Sequence, residues 1–65
     1  MSIVVVKTVS TDNGETRYFR RSTESNVNAE ISRESFDFYL KEALNFQSHT
    51  EHGELYTVET YLLIF

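Results

Sequence analysis

At 65 residues the chain has room for one small domain, residues 1–65, and none for a linker or a second lobe. It has no cysteine, which removes disulfides and thiolate metal sites, two of the usual supports of small domains, and leaves oligomerisation as the expected one. The net charge of −4 is unevenly spread: the first 23 residues hold four cations against two acids, and the rest two cations against eight acids. Such a balance lacks the basic footprint of nonspecific DNA binding. No apolar run approaches the roughly 18 residues of a membrane helix, and Ile3 to Val6 is too short for a signal-peptide core. The expected setting is therefore cytoplasmic, with no membrane partner.

Ser2 to Val9 is rich in β-branched residues and reads as a strand. Its apolar residues fall on both sides, Ile3, Val5 and Val9 on one and Val4 and Val6 on the other, so it is expected at the centre of a sheet. Ser10 to Gly14 follows, with Asn13-Gly14 suited to a hairpin turn. The second strand, Glu15 to Ser22, alternates Arg17, Phe19 and Arg21 with Tyr18 and Arg20. Thr23 to Ala29 is polar and aperiodic and reads as a loop.

A helix is predicted after Ser32, whose hydroxyl suits an N-cap, with Ile31 and Phe36 as a hydrophobic staple. Glu34 then meets the positive end of the dipole. Phe36, Tyr39, Leu40, Ala43, Leu44 and Phe46 share one stripe at helical spacing, expected to face a sheet. Gln47, Ser48 and His49 would close this helix, and His52-Gly53 would turn the chain into a last strand, Glu54 to Phe65. The fold class that follows is α+β: a three-stranded, mainly antiparallel sheet in β-β-α-β order, spatial order 2-1-3, with one helix on one face. One helix covers one face only. The other face, with Tyr61, Leu63 and Phe65 or their alternates, is expected to bind a second copy of the chain across a twofold axis.

Phe38 projects away from the apolar stripe, among Glu34, Asp37, Lys41, Glu42 and Asn45. Three readings follow. The 22–31 loop folds over it with Val27 or Ile31 as a lid, or Phe38 is an anchor ringed by acids for a basic protein surface, or it is a lone surface aromatic. Residues 17–21 interleave Arg17, Arg20 and Arg21 with Tyr18 and Phe19, as a sheet that stacks bases and neutralises phosphates would require. The same strand also reads as a charged edge that blocks aggregation, or as a dock for an acidic protein surface.

His49 and His52, with Glu51 and Glu54, supply donors of the kind that hold zinc or nickel. They are three apart where the paired zinc histidines of a helix are four apart, and His52 immediately precedes the Gly53 turn, so a solvated loop is expected and no metal. There is no cysteine nucleophile, no Gly-rich phosphate loop and no Gly-x-Ser-x-Gly elbow, so neither a catalytic residue nor a cofactor is assigned. The function expected is a noncatalytic interaction module, a homodimer that regulates or inhibits a larger protein. Small modulators carried by phages and mobile elements are of this kind. The alternative is a nucleic-acid-binding protein using residues 17–21.

Overall fold

The computed structural model describes residues 2–25 and 27–65. It contains strands β1 (Ser2–Ser10), β2 (Thr16–Ser22) and β3 (Ala29–Ile31), helix α1 (Arg33–Glu42), and strands β4 (Asn45–His52) and β5 (Tyr56–Ile64). All five strands join one sheet in the order β3-β2-β1-β5-β4, and every pairing is antiparallel. The class is α+β, as the sequence indicates, but the sheet has five strands where three are expected. The expected 2-1-3 core survives as β2-β1-β5, with the valine-rich β1 at its centre.

The two additional strands lie at the edges. β3 occupies the end of the segment expected as loop and pairs with Tyr18 to Arg20 of β2. β4 takes the residues expected to end the helix. The helix stops at Glu42, and Ala43 leaves the helical region at φ −64°, ψ 139° while its N–H still donates to the Tyr39 carbonyl. Beyond it the chain gains a full antiparallel ladder against β5, from Asn45 opposite Ile64 to His52 opposite Thr57. That ladder satisfies a backbone donor and acceptor on alternate residues, which the loop end of a helix would leave to water.

Local signals elsewhere act as their chemistry demands. Gly14 adopts φ 72° in the β1–β2 turn, where a side chain would be strained, and Asn13 Oδ1 accepts from the Glu15 N–H at 2.9 Å. Ser32 Oγ caps α1 by accepting from the Ser35 N–H at 3.1 Å. Ile31 and Phe36 meet in the same apolar cluster across the helix start.

α1 carries the chain from the β3 edge to the β4 edge across one side of the sheet. The core lies beneath it: Val5, Phe36 and Leu63 are buried, with Ile3, Tyr18, Ile31, Tyr39, Leu40 and Tyr61 among those packed around them. The Phe36 ring sits 4.8 Å from Tyr18 and 5.7 Å from Tyr61, within the range of favourable aromatic pairs. No helix is long and apolar enough to cross a membrane.

Candidate functional site

Register decides what each side of the sheet presents, because directly opposed residues point the same way. Ile3, Val5 and Lys7 of β1 face the helix together with Arg20 and Tyr18 of β2 and Leu63, Tyr61 and Glu59 of β5. Val4, Val6 and Thr8 face the other way, with Arg21, Phe19 and Arg17 on one flank and Leu62, Thr60 and Val58 on the other. Among the described residues no helix or strand lies over this second side.

The open side is nevertheless built like an interior. Val4 and Val6 are buried without any layer above them, because Arg21 and Leu62 flank Val4 and Phe19 and Thr60 flank Val6. Phe19, Val58 and Leu62 are half-buried and Ile64 is exposed, so an apolar spine runs along the middle of the sheet. Its margins are polar and of mixed sign. On the β2–β3 margin Arg17 Nε lies 3.4 Å from Glu30 and 3.8 Å from Glu15. On the β4 margin His49 Nε2 lies 3.1 Å from Glu51.

Tyr61, Leu63 and Phe65, expected as the self-association surface, are on the other side, where they pack into the core under α1. Leu63 is wholly buried there. The reason is parity: opposite Ile3 and Val5 on β1 stand Leu63 and Tyr61, and the helix covers that set. The uncovered set is the alternate one that the sequence left open, Leu62 and Ile64 with the valines Val4 and Val6, joined by Phe19 and Val58. The two-sided valine pattern of Ser2 to Val9 was their only signal, and it does not say which side a helix will take.

Tyr61 does more than fill space. Its hydroxyl donates to Glu59 Oε1 at 2.7 Å, and that bond, followed by burial and the Glu59 charge, pushes the phenol up to about 12. Lys7 stands directly across from Glu59, with its Nζ 3.9 Å from the carboxylate. These three form a polar margin to the core on the helix side.

The basic strand is divided by the same alternation. Arg17 and Arg21 go with Phe19 to the open side, whereas Arg20 and Tyr18 turn towards the helix. There Arg20 donates from Nη1 to the Tyr39 hydroxyl at 3.1 Å, and its guanidinium lies 6.0 Å from the Tyr39 ring centre. Residues 17–21 therefore do not make one continuous stacking surface.

On α1, Phe38 is 59% exposed and Val27 75% exposed, so the loop does not cover the ring. Ile31, the other expected lid, packs against the core instead. Phe38 stands one turn from Glu34 and one from Glu42, all exposed, and Asp37 beside it is 3.9 Å from Arg33. The result is an exposed aromatic between carboxylates on the outer surface of the helix, its ring edge-on to Tyr39 at 6.3 Å.

His49 and His52 lie on β4, not on a helix end or in a loop, and point to opposite sides: His49 shares its side with Thr60 and His52 with Thr57. Among the described residues no cluster of three or more His, Cys, Asp or Glu side chains is placed to hold a metal ion. Compared with known family models, with curated proteins and with solved structures, the chain matches none.

Proposed function

We propose that this chain is a noncatalytic protein-interaction module: it self-associates through the open side of its sheet and regulates or inhibits a larger protein through the acidic helix surface around Phe38. The observation that carries this reading is the uncovered apolar spine of Val4, Val6, Phe19, Val58, Leu62 and Ile64. Phe19, Val58, Leu62 and Ile64 reach solvent on this side, over the buried Val4 and Val6, with no layer covering them among the described residues, and contiguous apolar surface of this kind marks interaction sites. Dimerisation by that side leaves α1 on the outside of each copy. Phe38 is then free to insert into an apolar pocket rimmed by Lys or Arg on the regulated protein.

The competing nucleic-acid reading has less support. Arg20 and Tyr18 turn to the helix side, where Arg20 bonds the Tyr39 hydroxyl, and Arg17 already has two carboxylates beside it, so on the open side Arg21 is the cation of this strand without an ion pair among the described residues. Sedimentation equilibrium tests the main reading. The wild-type chain is expected to dimerise in the micromolar range, and Leu62→Lys to give a monomer with unchanged circular dichroism. A wild-type chain that stays monomeric at high concentration rules out self-association, and salt-sensitive retardation of RNA or DNA would favour the second reading.

A further inference from the structure

We infer that the second copy docks face to face on the open side of the sheet, with the twofold axis running along β1, so that Arg17 of each copy meets Glu51 of the other. This rests on the self-association proposed above and adds its geometry. The argument is the arrangement of charge around the spine. Arg17, Thr8, Val58 and Glu51 form one row across the sheet, and Glu30, Phe19, Val6, Thr60 and His49 the next. One margin thus carries Arg17 with Glu30, and the other Glu51 with the His49 ring in hydrogen-bond contact.

Two axes in the plane of the sheet bring such a surface onto itself with the strands of the two copies aligned, as in an aligned sandwich. An axis perpendicular to the strands lays β2 on β2 and β4 on β4, which sets Arg17 and Arg21 of one copy against the same strand of the other. An axis along β1 exchanges the margins. Val4 and Val6 then meet their own counterparts on the axis, β2 faces β5, and β3 faces β4. Glu30 comes opposite His49 of the second copy. Arg17 comes one strand spacing, about 4.8 Å, from the point opposite Glu51, across sheets about 10 Å apart. An arginine side chain reaches that far. Like charges placed face to face cost affinity and opposite ones fix register, so the charge pattern selects the axis along β1.

The dimensions agree. The molecule measures 35 × 21 × 20 Å, and its broad side is of the same order as the roughly 800 Å2 that each partner contributes to a specific interface. The packing that results is that of an aligned β-sandwich, with a helix on each outer surface.

Crossed charge reversal tests the arrangement. Arg17→Glu alone and Glu51→Arg alone should each weaken self-association about tenfold, because each places two like-charged pairs across the axis. An equimolar mixture of the two variants should recover near wild-type affinity, because both contacts in the mixed dimer are then oppositely charged. Should Arg17→Glu fail to fold, His49→Glu tests the neighbouring contact: it should weaken self-association by placing a carboxylate opposite Glu30 of the second copy, and mixing it with Glu30→Lys should restore it. A wild-type dimer whose variants are not rescued by mixing, or not weakened at all, overturns this arrangement and leaves self-association standing. A strictly monomeric wild-type chain removes both.

Discussion

Leu62 and Leu63 are adjacent on β5 and have opposite fates: Leu63 is wholly buried under α1 with Val5 and Phe36, whereas Leu62 looks out from the open side next to Val4. The same substitution at the two positions should therefore have different effects. Leu63→Ala leaves a cavity in the core and should cost about 2–5 kcal/mol. That is most of the roughly 3–5 kcal/mol a single core of this size supplies, so thermal melting should show a largely unfolded chain. Leu62→Ala should melt much closer to wild type and weaken self-association instead.

The Tyr61–Glu59 bond predicts a stability loss at high pH. The Tyr61 phenol is raised from 10.0 to about 12, so the folded state holds its proton more tightly than the unfolded chain does. The stabilisation is complete below pH 10 and disappears as pH rises towards 12. In Tyr61→Phe this part of the pH dependence should be absent, and in Glu59→Gln phenolate absorbance should appear nearer the ordinary tyrosine range. An unchanged alkaline titration in Glu59→Gln would assign the shift to burial and not to the carboxylate.

Phe38→Ala removes an exposed ring and its edge-on contact with Tyr39, and should cost no more than about 1 kcal/mol. Capture of the regulated protein from the native cell should be lost with it, and Glu34→Lys or Glu42→Lys should reduce it. A marked fall in melting temperature for Phe38→Ala would instead give the ring a structural role and remove it as an anchor.

Ser32→Ala removes the acceptor for the Ser35 N–H and should destabilise the domain by about 1 kcal/mol. Asp at the same position should restore most of that loss, because it keeps an acceptor at the positive end of the helix. Denaturant titration of the three chains gives the comparison.

Where local chemistry was decisive, the sequence was legible. The β-branched run of β1, the Asn13-Gly14 turn and the Ser32 cap with its Ile31–Phe36 staple each act within a few residues, and each appears where expected. β4 was not legible. Leu44 and Phe46 fit the apolar stripe of a longer helix, yet Leu44 is 84% exposed and Phe46 lies on a strand. Asn45 to His52 has one β-branched residue, Thr50, and every residue is exposed, so neither propensity nor burial marks it. Its conformation comes from pairing with the edge of β5, a partner that follows it in the chain.

The candidate site divides in the same way. Alternation in β1, β2 and β5 already sorts their residues into two sets, and the absence of cysteine with a chain of 65 residues already calls for outside support. Which set is left open depends on the side over which α1 crosses from β3 to β4. That choice packs Tyr61, Leu63 and Phe65 against the core under the helix and leaves Leu62 and Ile64 on the open side, and it splits Arg20 from Arg17 and Arg21. Periodicity records that two faces exist because side chains alternate along a strand. Only packing assigns the helix to one of them, because the crossing joins residues far apart in the chain and no local preference distinguishes the two sides.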